Sequence, residues 1–326
     1  MRHALYLTTT LAAFGGFASP ALADVAIDGS STVFPVSEAF AEEFQIETGT
    51  RVTVGVSGTG GGFRRFCRGE TDISGASRPI SASEMQACKE AGIEFIELPI
   101  ALDAIAVIVN PQNDWVECMT VDELKTMWAP EAQGKIGNWK QVRDEFPNRE
   151  LSLYGPGVDS GTYDYFTAAI VGEEHSSRGD FTATEDDNII VQGVSTDEGA
   201  LGFLGLAYLT ENEGIVKPVG IEQEDGSCVL PSVETARDAS YQPLARPLFM
   251  YVNKGYADDN EEVRSYVEFV LNPENAVELV AEVGYVPLPE EAFEMGQAKF
   301  EARKTGTFFG GESKIGVKIE DLLRAE

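Results

Sequence analysis

Histidine is almost missing from this chain of 326 residues: there are two, His3 and His175. A two-metal hydrolytic centre built on several imidazoles is therefore excluded. No H-E-x-x-H, G-x-S-x-G or P-loop pattern occurs, which removes the usual signatures of metalloproteases, serine hydrolases and nucleotide-dependent enzymes. Basic residues are scarce as well. Lys and Arg number 24 against 54 Asp and Glu, a net charge of −30. Such a surface repels polyanions, so neither a nucleic-acid partner nor an anionic membrane is expected. Cysteine is limited to Cys67, Cys88, Cys118 and Cys228, and no C-x-x-C spacing is present. The paired-thiolate signature of small zinc sites is thus missing. No apolar run reaches the ~20 residues that a membrane-spanning helix needs. Nothing in the sequence calls for a metal or a cofactor.

What is present begins with an export signal. Met1-Arg2-His3 is a short basic start, residues 4–18 form an apolar run rich in small residues, and Ala21-Leu22-Ala23 fits an A-x-A cleavage site. A signal peptide over 1–23, cut before Asp24, is expected. No Cys follows the cut, so a lipid-anchored terminus is not indicated. The expected location is the periplasm, with the mature chain soluble and monomeric. In an oxidising compartment four cysteines read as two disulfides, for which three pairings exist. Cys67–Cys88 with Cys118–Cys228 is favoured because each bridge then stays inside one lobe of the division below.

The chain beyond residue 23 exceeds the size of one hydrophobic core, so two lobes are expected. Val25-Ala26-Ile27 reads as a strand. Val36, Ala39, Phe40 and Phe44 recur at helical spacing, and Gly49 ends that helix. Residues 51–56 alternate as a strand, a Gly-rich turn and a helix follow, and Asp72-Ile73-Ser74 is a third strand. This β-α-β-α-β order predicts an α/β architecture with mainly parallel sheets flanked by helices. Residues 98–110 (LPIALDAIAVIVN) form a strand buried on both faces, and residues 246–253 (RPLFMYVN) have the same character. The two are taken as paired crossovers of a hinge. Lobe I is then 24–102 with 247–326, and lobe II is 103–246. Residues 221–232 are polar and read as a surface loop.

Three Ser/Thr/Gly clusters each precede a helix: Gly29-Ser30-Ser31-Thr32 before 35–44, Ser57-Gly58-Thr59-Gly60-Gly61-Gly62 before 63–67, and Asp159-Ser160-Gly161-Thr162 before 163–170. A helix start carries unpaired N–H groups and the positive end of the helix dipole. Each cluster is a possible anion cradle. Each is also what an ordinary N-cap looks like. Three together, two in lobe I and one in lobe II, point to one small anion held where strands end. Arg78, in the segment GASRP after the third strand, can grip an oxyanion with two parallel hydrogen bonds. Arg64, Arg65 and Arg68 lie on a helix and read as solvated or salt-bridged. Asp103 interrupts an apolar strand, where an unpaired carboxylate costs several kcal/mol, about 3–5. It either neutralises Arg78, or accepts a bond from a proton-bearing ligand oxygen, or caps nearby backbone. The second role would welcome phosphate, which carries a proton near neutrality, and reject sulfate, which does not.

At these motifs the chain resembles the phosphate-binding components of ABC-type phosphate uptake systems. The resemblance is carried by GSSTVFPVSEAFAEEF (29–44), VGVSGTGGGFRRF (54–66), GETDISGASRPIS (69–81), IALDAIAVIVNPQN (100–113), LSLYGPGVDSGTYDYF (151–166) and GALGFLGLAYL (199–209). It implies a two-lobed type II periplasmic-binding-protein fold, a dehydrated phosphate in an interlobe cleft, delivery to a membrane permease, and no catalysis. It also implies phosphate contacts at Ser31, Thr32, Ser57, Ser160, Gly161 and Thr162. The best-known branch of the family has an Asp where this chain has Ser77-Arg78, and an Arg where it has Pro156. The Arg role is therefore expected at Arg78 and the acceptor role at Asp103. The full candidate set is Ser31, Thr32, Ser57, Gly58, Ser77, Arg78, Asp103, Ser160, Gly161 and Thr162. Two other readings stand beside it: the same fold serving sulfate, molybdate or a phosphonate, or acting as a phosphate sensor or store, and an exported phosphatase.

Overall fold

A computed structural model describes residues 24–158, 160–184 and 186–311. The expected signal peptide lies outside the described residues. Eleven strands are present among them: β1 (Val25–Gly29), β2 (Val52–Val56), β3 (Ile73–Ala76), β4 (Phe95–Val109), β5 (Cys118–Met119), β6 (Ser152–Pro156), β7 (Thr182–Thr184), β8 (Ala200–Gly205), β9 (Lys217–Glu222), β10 (Cys228–Val229) and β11 (Ala245–Asn253). They follow one path, β2-β1-β3-β11-β4-β8-β6-β7, with β9 joining β4 to β5 and β10.

The path has two halves. β1 runs parallel to β2 and β3, and β6 runs parallel to β7 and β8. β4 joins them, antiparallel to its main neighbours. Its residues from Phe95 to Ala104 pair with β11, and from Ile105 to Val109 it pairs with β8 and β9. The change of partner falls between Ala104 and Ile105. All fifteen residues of β4 are buried, Glu97 and Asp103 among them, as a strand between two covered faces requires.

Helices cover these sheets for legible reasons. In helix Phe34–Thr48 the residues Val36, Phe40, Ala41 and Phe44 face inward, and Gly49 closes it in the left-handed conformation at φ 79°. Phe44 meets Tyr266 edge-on at 5.4 Å, from the much later helix Glu261–Val270. The second helix starts earlier than the apolar pattern marks, at Thr59, because Gly58 at φ 74° turns the chain directly into it. The helix after the third Ser/Thr/Gly cluster starts at Gly161 and widens into a π-type turn over Thr167–Val171.

The expected loop at 221–232 is corrected. β9 continues to Glu222, and Cys228–Val229 pairs with it. Gly220 permits this: a Cβ there would sit 2.4 Å from Cys228 Sγ. The disulfides are Cys67–Cys88 and Cys118–Cys228, 21 and 110 residues apart in sequence. Loop-closure entropy gives the longer bridge the larger share, about 4–5 kcal/mol against about 3. A Cys118→Ala/Cys228→Ala variant should therefore lose more stability to urea than Cys67→Ala/Cys88→Ala. Equal losses would show that strain or residual structure in the unfolded chain outweighs loop length.

Candidate functional site

Because β1, β2 and β3 are parallel and in register, their carboxyl ends lie side by side: Gly29 is opposite both Val56 and Gly75. The segments that follow them are consequently neighbours. Ser57 N–H donates to Gly29 O at 3.1 Å, and Ser30 N–H to Gly75 O at 3.0 Å. Thr59 Oγ1 lies 3.0 Å from Ser77 Oγ and accepts from Ser77 N–H at 3.3 Å. The first two clusters and the Ser77-Arg78 turn are thus one continuous rim.

The third cluster reaches this rim from the other half, after β6. Ser160 caps helix Gly161–Phe166 by accepting from Thr162 N–H at 3.2 Å; Asp159 lies outside the described residues. Thr32 Oγ1 donates to Gly161 O at 3.3 Å, and Ser31 Oγ donates to Asp164 Oδ2 at 3.3 Å. The approach at Gly161 is so close that a Cβ would lie 2.7 Å from Thr32 Cα and 2.8 Å from Thr32 N. Only glycine fits at that point of the seam.

Two residues that the sequence reading left out complete the seam. Arg246, on β11 directly opposite Asp103 on β4, donates to Thr32 Oγ1 at 3.1 Å and lies 3.4 Å from Asp103 Oδ2. Its guanidinium carbon lies 3.7 Å from the centroid of the Tyr165 ring. The Tyr285 hydroxyl donates to Thr32 O at 2.8 Å. Burial pushes the Asp103 carboxyl above its ordinary range, and Arg246 pulls it back. Burial likewise holds the Tyr165 and Tyr285 phenols protonated. The Asp164 carboxyl is raised by burial, with Glu174 adding to the effect and His175, Ser31 and Arg246 opposing it.

Of the three roles open to Asp103, neutralising Arg78 is set aside: Asp103 faces Arg246, and Arg78 goes elsewhere. Arg78 donates twice to Glu84, at 2.9 Å each, and once to Pro79 O at 3.1 Å. Glu84 is on the helix that begins right after the GASRP turn, closer along the chain than any hinge residue. Ser57 is the most solvent-facing of the predicted set, and its hydroxyl donates to Asp28, which also pairs with Arg65. Arg68 pairs with Glu70. Arg246 opens an apolar strand and Asp103 interrupts one, and the register sets the two opposite each other, so each crossover carries one charge at the seam.

A family model described as a PBP superfamily domain matches residues 18–274. Protein SphX of Synechococcus elongatus is 52% identical over 310 residues, 95% of this chain and 90% of its own. The phosphate-binding protein PstS of Staphylococcus saprophyticus is 36% identical over 277 residues, 84% of this chain and 83% of its own. The crystal structure of a possible phosphate binding protein from Planctomyces limnophilus superposes with a TM-score of 0.80 at 42% identity, covering 86% of this chain and 98% of that one. The chain belongs to the PBP superfamily and, within it, to the family of these SphX and PstS proteins.

Proposed function

We propose that this protein is the solute-binding component of an ABC-type phosphate uptake system, and that it holds inorganic phosphate at the seam between its two halves. The observation that carries the reading is the meeting of three helix starts with one guanidinium that is only 13% exposed. Ser31 and Thr32, the Ser57–Gly58 turn with Ser77, and Ser160–Gly161–Thr162 converge from both sides, and Arg246 lies against Thr32. Backbone N–H groups, hydroxyls and a guanidinium suit a tetrahedral oxyanion that has shed its water. The named PstS relatives and the Planctomyces neighbour support phosphate as that oxyanion.

The same reading assigns the rest. Lobe I is 24–102 with 247–326 and lobe II is 103–246, with β4 and β11 as the hinge. The protein is exported by the signal peptide at 1–23, works as a soluble periplasmic monomer, docks on a membrane permease, and catalyses nothing. Among the described residues no helix is long and apolar enough to cross a membrane.

Asp103 supplies the choice of oxyanion. Its carboxylate accepts a bond from a protonated phosphate oxygen and repels sulfate, which has no proton to offer. Titration calorimetry with both anions tests the assignment. The unaltered protein should bind phosphate in clear preference to sulfate, and Asp103→Asn should shrink that preference by roughly tenfold, the worth of one charge-assisted bond. A protein that takes sulfate as readily as phosphate would end the phosphate reading. A variant as selective as the parent would remove Asp103 from this role.

A further inference from the structure

Glu97 is a fully buried carboxyl group that the site described above does not use. It lies on β4 directly opposite Tyr251 on β11, whose ring packs in an apolar cluster with Phe63, Phe95 and Phe249. Such a group persists only where each oxygen has a donor. Both do: the Tyr251 hydroxyl donates to Glu97 Oε2 at 2.5 Å, and Phe308 N–H donates to Oε1 at 2.9 Å.

The Tyr251 oxygen has a second bond, and it leads to the rim. It accepts from Ile80 N–H at 2.8 Å, across 171 residues of sequence. Ile80 is itself fully buried, so this amide has no water to turn to. It is two residues beyond Arg78, in the turn that carries Ser77 and Arg78 between β3 and helix Ala82–Glu90. The Tyr251 ring meets Phe63 edge-on at 4.8 Å, and the Arg78 guanidinium lies 5.8 Å from the centroid of that same Phe63 ring.

We infer that Glu97 and Tyr251 are positioning residues for anion binding: the Glu97 carboxyl aims the Tyr251 hydroxyl, and that hydroxyl pins the Ile80 amide and so holds the turn before it, with Ser77 against Thr59, on the rim. Neither residue touches the anion. The inference rests on the phosphate reading and deepens it. A purely apolar pair at these positions would fill the cluster as well, but would leave the Ile80 amide without an acceptor. The polar relay thus has a task that packing alone does not explain.

Tyr251→Phe is the clean test, because it removes one oxygen and keeps the ring. The expected result is a phosphate affinity about tenfold weaker, the worth of one buried hydrogen bond. In a Ser77→Ala background the same substitution should have no further effect, because the relay acts through the placement of Ser77. Amide exchange measured without ligand should quicken over residues 77–81 and stay unchanged in the other half. An unchanged affinity in Tyr251→Phe, a loss that persists in the Ser77→Ala background, or unaltered exchange at 77–81 would each overturn the relay. Failure of the parent itself to bind phosphate overturns the phosphate reading instead, and the ligand-free exchange result then still decides whether Tyr251 pins the turn.

Discussion

Replacing Arg246 with methionine is expected to weaken phosphate binding by about a thousandfold, roughly 4 kcal/mol, the largest loss for any single residue of the seam. Three contacts vanish together: the bond to Thr32 Oγ1, the pairing with Asp103, and the stacking on Tyr165. What remains is worse than an empty space. The Asp103 side chain is 5% exposed, and without its partner it would be a buried charge facing an incoming anion. Removing one member of such a pair costs about 3–5 kcal/mol of stability as well.

Stability and binding can be separated. Arg246→Met with Asp103→Leu should recover most of the lost thermal stability, since apolar replacements of a buried ion pair are close to neutral. It should recover none of the affinity. Acidity gives a second check. Burial already raises the Asp103 carboxyl, and losing Arg246 removes the main opposing influence, so it must rise further. A carboxyl raised in the folded state contributes stability that is present below its unfolded value and lost as pH climbs to the folded value. Arg246→Met alone should therefore be rescued by mild acid over that window, and the double variant should not. If Arg246→Met binds phosphate as the parent does, the guanidinium has no place in the site.

Gly161→Ala is expected to act by the opposite route, sparing the fold while abolishing the closed arrangement. Its new Cβ would lie 2.5 Å from Thr32 Oγ1, 2.7 Å from Thr32 Cα and 2.8 Å from Thr32 N. Backbone atoms cannot rotate aside, so the halves themselves must part. Alanine at a helix start is otherwise favourable by up to about 1 kcal/mol over glycine. Thermal stability without ligand should be unchanged or slightly higher, while phosphate affinity falls at least a hundredfold, about 2.7 kcal/mol. Gly137→Ala is the matched control, because a Cβ there meets nothing within 4 Å. Unaltered binding in Gly161→Ala would mean that phosphate is held without this approach of the halves.

The contrast between Asp103 and Arg246 shows how far a sequence can be read here. Asp103 was conspicuous because a carboxylate in LPIALDAIAVIVN violates the pattern around it. Arg246 sits at the first turn of RPLFMYVN, where a charge can equally mark a strand that has not yet entered the core. Only the antiparallel register, which sets it opposite Asp103, reveals the pair. Ser31, Thr32 and Ser77 are neighbours because the parallel strands β1 and β3 deliver their following turns to one edge, and Gly161 meets them from the turn after β6 in the other half. Tyr285 was not, since its bond to Thr32 O spans 253 residues and no local pattern encodes that distance. The Arg78 partner failed for the reverse reason. Glu84, six residues away on the next helix, offers Arg78 a carboxylate nearer than any on the hinge.

The strand β4 exchanges its neighbours between Ala104 and Ile105, one residue after Asp103. Any swivel of one half against the other must be absorbed in that short stretch and in its companion beside Arg246. The group that would grip the solute is thus mounted on the pivot itself. A change in the angle between the halves must also turn the Arg246–Asp103 axis, so an empty protein held open would present the solute with a differently aimed cation.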